Sequence, residues 1–248
     1  MNLLKKIFQP TPKLAPINLS VFGADIHSHL IPGIDDGSPN METSIELVKK
    51  FIDLGYKKII TTPHIMSDCY HNTPHKILKG LDELKEELVK QNISIDIAAA
   101  AEYNLDDGLQ TLIDKKEILT FGDNYVLFEL PFMQEPQNLN EIIFNFQMAG
   151  YKPILAHPER YTFWYKSFEK YEELKSRGVL LQLNLLSLTN HYSPQTKKVA
   201  EKMVDAHLID AVGTDCHRIE HLMLLEEHLN LKHIHKLASQ NNLLNKGL

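Results

Sequence analysis

Short apolar runs alternate with segments of helical spacing along most of the chain. Residues 21–26 form the first run. Ser38-Pro39-Asn40 then reads as a helix start, with a capping side chain ahead of Glu42. Ile45, Val48 and Ile52 share one helical face, and Gly55 ends the segment. Residues 58–62 are the second run, rich in β-branched side chains, and Ile77, Leu81, Leu84 and Leu88 mark the helix after it. The third run is 93–101, with a helix from near Asp106. Runs at 125–130, 153–156 and 179–184 follow, each leading into a helix, at 138–149, 168–176 and 194–206. Residues 208–213 are the seventh run, and a helical tail begins near Glu220.

Seven strand-then-helix units predict an α/β fold with a parallel sheet, closed into a barrel. The runs are near-continuously apolar, as expected of strands buried on both faces. No low-complexity linker or repeat interrupts them. The pattern therefore predicts an irregular N-terminal extension over 1–20 and one domain over 21–248 with a helical C-terminal tail.

Composition narrows the function classes. The 248 residues are 43% hydrophobic and 23% charged, which is ordinary for a globular protein. The formal charge of −6, without a basic block, disfavours nucleic acid as a partner. The apolar runs fall short of the ~18 residues of a membrane span. The two cysteines, Cys69 and Cys216, match no zinc-knuckle spacing and no disulfide framework. A soluble protein of the reducing cytoplasm is the expectation.

The polar residues fall in a telling place. Each run ends in a metal-type ligand or a hydrogen-bonding side chain: Asp25-Ile26-His27-Ser28-His29, Thr62-Pro63-His64, Ala101-Glu102, Phe128-Glu129, His157-Pro158-Glu159-Arg160, Asn184, and Thr214-Asp215-Cys216-His217. In a β/α barrel the C-terminal strand ends meet on one face, which carries the active site. Taken singly, a histidine at a strand end is more often a core or surface residue. Five histidines and four carboxylates in matching places change that estimate. Histidine with carboxylate, and no thiolate, suits Zn, Mn or Fe. His27 and His29 lie two apart on an extended segment, so both can reach one ion. The other histidines, among them His191 and His221, read as loop or helix residues. His71 and His75 are candidates for the rim. The aromatic candidates for the rim are Tyr70, Tyr161, Phe163, Trp164 and Tyr165.

These motifs, together with Asp35-Asp36-Gly37 and His157-Pro158-Glu159-Arg160-Tyr161, resemble the polymerase and histidinol phosphatase (PHP) superfamily. Within it they are similar to the bacterial metal-dependent protein-tyrosine phosphatases of the CpsB/YwqE type, over roughly residues 22–220. The resemblance implies a distorted (β/α)7 TIM-like barrel, the PHP fold, and three metal ions, Mn or Fe, with Zn or Mg also admissible. It assigns His27, His29, Glu102 and Asp215 to one ion. Glu102, Glu129 and His157 would hold a second, and Asp36, His64 and His217 a third. Arg160 matches the phosphate-contacting arginine, and Arg218 is a candidate for a second contact. It also implies a phosphotyrosine protein as substrate, such as a bacterial tyrosine kinase of capsule or exopolysaccharide synthesis.

Phosphate monoesters hydrolyse very slowly unaided. The expected chemistry is in-line attack of a metal-bridging hydroxide, with cations neutralising the transferring group and Arg160 clamping its oxygens in bidentate fashion. A surface ion pair with Glu159 is the plain alternative for Arg160. A Cys-x5-Arg phosphatase is excluded, because the sixth residue after Cys69 is His75 and after Cys216 is Leu222. Two other readings stay open: a small-molecule phosphomonoesterase, such as a histidinol-phosphate phosphatase, and an inactive metal-bearing scaffold that binds a kinase tail.

Overall fold

The structure is a computed structural model and describes residues 14–248. Residues 1–13 of the expected extension lie outside the described residues. Residues 14–18 have no regular structure, and Leu19–Phe22 form a 3-10 turn whose Leu19 and Phe22 are buried.

The seven predicted runs occupy seven strand positions, but two of them are split. The first position is β1 (Ala24–Asp25). The second holds β2 (Lys58–Thr61) and β3 (His64–Ile65), the third β4 (Asp96–Ala99) and β5 (Glu102–Asn104). Then come β6 (Tyr125–Glu129), β7 (Lys152–Ala156), β8 (Leu180–Asn184) and β9 (Ala211–Gly213). All pairings are parallel, in the orders β1-β2-β4 and β3-β5-β6-β7-β8-β9. The break in the second position coincides with Pro63, which has no N–H for the ladder. The chain keeps its register there, because Ala100 N donates to Thr61 O and Glu102 N to Pro63 O.

The helices cover the outside. They are α1 (Met41–Asp53), α2 (Pro74–Lys90), α3 (Leu109–Lys115), α4 (Leu139–Met148), α5 (Glu169–Ser176), α6 (Pro194–Asp205), α7 (Ile219–Glu227) and α8 (Lys232–Ala238). Local chemistry sets their starts. Asn40, Thr73 and Ser193 each accept a backbone N–H of the first turn, and Pro74 and Pro194 occupy the position where a missing N–H costs least. Among the described residues, no helix is long and apolar enough to cross a membrane.

Strand alternation divides the buried side chains. Ile60, Leu127, Ile154, Ala156 and Ala211 fill the barrel interior, while Ile59, Val126, Phe128, Leu155 and Val212 face the helices. The interior is therefore apolar at the N-terminal end, and polar residues begin only at the C-terminal strand ends.

The seam between the last strand and the first is sewn in an unusual way. One parallel bridge, Ser28 to Cys216, joins them, flanked by Asp215 N to His27 O (2.8 Å) and His29 N to Cys216 O (2.9 Å). Side chains supply the rest. The Asp25 carboxylate accepts Thr214 N, and Thr214 Oγ1 donates to His27 O. At the bottom, fully buried Asn245 accepts Val212 N and donates to both Ala24 O and Val212 O. The C-terminal tail thus closes the barrel floor across β1 and β9. Asn245→Ala would leave three backbone groups buried without partners. We predict a loss of about 2–5 kcal/mol in urea unfolding. A loss within ~0.5 kcal/mol, the range of a surface substitution, would show that the seam holds without it.

Candidate metal centre at the barrel mouth

The nine residues assigned as ligands by the resemblance all come together at the barrel mouth, eight from the C-terminal strand ends and Asp36 from the loop after β1. Their donor atoms form four overlapping groups, each with its members within 4.8 Å of one another: His29, Asp36, His64 and His217; His27, His29 and Glu102; His27, His157 and Asp215; His64, Glu102 and Glu129. These groups cross the three-ion partition at several points, since His29 also reaches the set around Asp36.

Glu102 sits in the middle. Its Oε2 lies 3.1 Å from His27 Nε2, 3.2 Å from His64 Nδ1 and 3.6 Å from His29 Nε2, and its Oε1 lies 3.0 Å from His157 Nε2. Asp215 Oδ1 faces His27 and His29 Nε2 at 3.4 and 3.5 Å. Asp36 Oδ1 lies 3.5 Å from both His64 Nε2 and His217 Nε2.

These residues fit a metal for a reason of geometry. His27 Nε2, His29 Nε2, His64 Nδ1 and Glu102 Oε2 are buried and form no hydrogen bond, although oxygen and nitrogen face each other closely. Ligands held at ~2.1 Å around a tetrahedral ion are spaced by roughly 3.4 Å, which is the spacing observed. Buried lone pairs without partners are costly, and a cation among them would satisfy these atoms together.

The outer ring nitrogens fix how the ligands point. Gln182 Nε2 donates to Leu183 O, which turns Oε1 toward His27 Nδ1 at 2.9 Å. Asp35 Oδ2 accepts His29 Nδ1 at 2.9 Å and also His64 N. In each case the inner nitrogen is the one left for a metal. His217 does the same with Nδ1 on Asp215 O. Gln182 and Asp35 had not been singled out as site residues. Asp35 was visible in Asp35-Asp36-Gly37, but sequence could not say which of the two acids turns inward. Gly213 is required as well, because a Cβ there would lie 2.6 Å from His27 Cβ.

Two ligands sit on left-handed backbone, His157 at φ 34° and Asp215 at φ 49°. For a residue with a side chain this conformation is strained, and such strain gathers at functional sites. In β7, Ile154 and Ala156 face the interior, so alternation would turn His157 outward. The left-handed turn brings it back.

Electrostatics follow from crowding. Burial favours the neutral form of Glu102, but His27 and His64 outweigh it and hold its pKa well below the carboxylate range. The Asp215 carboxyl is held low in the same way, with His27 foremost. Glu129 goes the other way, because burial and then the Glu102 charge raise it. Burial pushes His64 and His157 down to about 4, so both rings are neutral near pH 7. For His27, burial is outweighed by Glu102 and Asp215, and its pKa rises. His29 rises further, with Asp35 foremost.

Arg160 lies beside this cluster. Its Nη1 donates to Asp215 Oδ2 at 2.8 Å, and its Cζ lies 4.8 Å from the Phe132 ring centre and 4.3 Å from that of Tyr192. The surface pair with Glu159 does not form. Glu159 is buried and accepts Asn184 N and Ser187 Oγ instead. Asn184 Nδ2 joins Arg160 on Asp215 Oδ2. Arg218 is exposed at the start of α7 and lines the same cavity of about 430 Å³.

The rim differs from the expectation. Of the five aromatic candidates only Tyr70 lines the cavity. Tyr161 and Trp164 are buried, with Tyr161 OH bonded to Leu130 N and Ala156 O, and Trp164 Nε1 to Glu135. Phe132 and Tyr192 take their place, together with His191 and His221. His221 follows His217 by four residues, a spacing that could have pointed to it. Phe132 and Tyr192 lie in loops without a motif. His71 lines a neighbouring cavity, and His75 is exposed on α2.

Comparison with known proteins agrees with this geometry. Residues 23–224 match the family described as "Capsular polysaccharide synthesis, CpsB/CapC". The chain is 29% identical over 197 residues to YwqE, a tyrosine-protein phosphatase of Bacillus subtilis, covering 79% of this chain and 78% of that one. It is 28% identical over 204 residues to CpsB, a tyrosine-protein phosphatase of Streptococcus pneumoniae, covering 79% and 83%. A crystal structure from work on YwqE and CpsB, described as metal-dependent tyrosine phosphatases, superposes with a TM-score of 0.75 at 27% identity, over 86% of this chain and 90% of that one. Histidinol phosphate phosphatase of Lactococcus lactis shares the fold alone, with a TM-score of 0.53 at 16% identity over 89% and 94%. The barrel, the ligand-bearing strand ends and the match over 23–224 place this chain in the CpsB/CapC family.

Proposed function

We propose that this chain is a metal-dependent protein-tyrosine phosphatase that hydrolyses phosphotyrosine on a protein, in the class of bacterial tyrosine kinases tied to capsule synthesis. The observation that carries the reading is the open cavity in which unpartnered imidazole and carboxylate atoms meet two arginines and an aromatic rim. Membership of a family with curated tyrosine phosphatases supports it.

His27, His29, Glu102 and Asp215 would hold one ion. Glu102, Glu129 and His157 would hold a second, and Asp36, His64 and His217 a third, with Mn or Fe suited to the mixed nitrogen and oxygen donors. Bound cations would acidify a water and neutralise charge on the phosphoryl group. The protein's own share is positioning. Arg160 spends one donor on Asp215 and keeps the rest of its fork for phosphate oxygens. Phe132 and Tyr192 both lie within cation–π range of that guanidinium and would offer aromatic surface to a phenol ring. Arg218 at the rim is a second candidate for phosphate. Phe132 is 42% exposed at the mouth, as a peptide-accepting rim would need. Thiol catalysis has no candidate here, because buried Cys216 has its pKa pushed well up by desolvation. We place its work in the reducing cytoplasm, in keeping with its two free cysteines.

Three outcomes test the reading. Mn-loaded protein should turn over a phosphotyrosine peptide at least tenfold faster than an alkyl phosphate, the size of a modest pocket discrimination, and a chelator should abolish both rates. Absence of aryl phosphate turnover at full metal occupancy would overturn the proposal. Arg160→Lys should lower kcat/KM about 10²–10³-fold, as for loss of an oriented donor, with metal content retained because Asn184 still holds Asp215. Unchanged kcat/KM would remove Arg160 from the site. Metal loading should release protons. Burial, which would lower His27 and His29, is outweighed by neighbouring carboxylates that raise them, and burial with the Glu102 charge raises Glu129, so these groups keep their protons to higher pH in the free protein than His64 and His157. Apparent metal affinity should then rise with pH until those three groups are deprotonated. Calorimetry in buffers of different ionisation enthalpy reads the count, and zero release would contradict it.

A further inference from the structure

A second cavity of about 240 Å³ lies against the outer side of the barrel wall, next to the metal cavity. Alternation along two short strands creates it. His64 and Glu102 point into the metal centre, so the next residues, Ile65 and Tyr103, point to the opposite face and line this cavity. Leu109 and Leu112 of α3 complete an apolar floor. Tyr103 is fully buried, and its hydroxyl accepts Leu119 N, so the ring is what it offers here. Met66 lines both cavities, which makes the two continuous over one side chain.

The walls are fixed in advance. The Asp106 carboxylate accepts Ser67 N at 2.7 Å, Ser67 Oγ at 2.8 Å and Gly108 N at 2.9 Å, which ties the loop after β3 to the start of α3. Gly108 permits that closeness, since a Cβ there would lie 2.2 Å from Ser67 Oγ. Buried Asn72 donates to His64 O at 2.8 Å and Ile34 O at 2.9 Å, locking the same loop to a metal-centre residue. An apolar pocket held in register with a catalytic site has little ordering cost left for a ligand.

We infer that this cavity is a specificity subsite, taking one apolar side chain of the phosphoprotein within three residues of the phosphotyrosine, on one side of it. The inference rests on the phosphatase reading above. The two cavities share Met66 as a wall, so a residue a few positions from the phosphotyrosine of an extended peptide, at ~3.3 Å per residue, would lie over the second one. The Phe132 side of the mouth offers no equivalent: there the wall is closed by buried Tyr161.

The test uses the metal-loaded full chain and phosphotyrosine peptides in a glycine background, with leucine placed in turn at each of the three positions on either side. Leucine at one position should raise kcat/KM about tenfold or more, the scale of a filled apolar pocket. Leu112→Glu, at a half-buried position, should remove that preference while leaving phenyl phosphate turnover unchanged. Leu112→Phe, which keeps the floor apolar but reduces the room, should shift the preference from leucine to alanine or valine. Equal rates for all leucine positions would overturn the inference, as would a preference that survives both substitutions. Failure of the wild type on phenyl phosphate would remove the phosphatase reading and the subsite with it. Normal phenyl phosphate turnover with no flanking preference would remove the subsite alone.

Discussion

Glu102 brings a buried carboxylate into the midst of four imidazoles, and much of the barrel's upper half is arranged around it. Such a charge is costly away from water unless compensated. Here the compensation comes from His27, His29, His64 and His157 on three strand positions, with His27 held from behind by Gln182 and His29 by Asp35. The constellation is bound into the fold, because removing one partner leaves the others facing an unbalanced charge. A cation at the centre satisfies the same atoms that are otherwise without partners.

The seam of the barrel obeys the same constraint. First and last strands supply three of the candidate ligands, His27, His29 and Asp215, with Asp215 Oδ1 3.4 and 3.5 Å from the two Nε2 atoms. A regular ladder there would keep alternate side chains apart. The fold uses a single bridge, the left-handed turn at Asp215 and side chains from Asp25, Thr214 and Asn245 in place of strand pairing. The distortion of the barrel and the density of its metal centre therefore have one cause. Strand geometry yields where the donor atoms must converge, and tail residues repair the hydrogen bonds on the opposite side.

A division of labour runs through the molecule. Interior alternation gives an apolar floor and a polar mouth from the same strands. Exterior alternation on β3 and β5 gives the neighbouring cavity. Site and subsite are two faces of one wall, so substrate selection and metal positioning share a rigid support.

Much was determined by sequence alone. Seven apolar runs ending in ligand-type residues give the seven strand positions and bring eight of the nine candidate ligands to one face, since parallel strands with helical returns must present all C-terminal ends together; Asp36, in the loop after β1, came only from the resemblance. The helix starts at Asn40 and Pro194 were also legible from the sequence. Tertiary structure decided the rest. A linear pattern does not show which side chain stands behind a ligand, so Gln182 and Asp35 appeared only once strands were adjacent. It does not show a left-handed turn at a non-glycine residue, because neighbours rather than local preference enforce it at His157 and Asp215. Nor does it separate a rim aromatic from a core one. Tyr161 and Phe132 look alike in sequence, and only packing buries the first and leaves the second at the mouth.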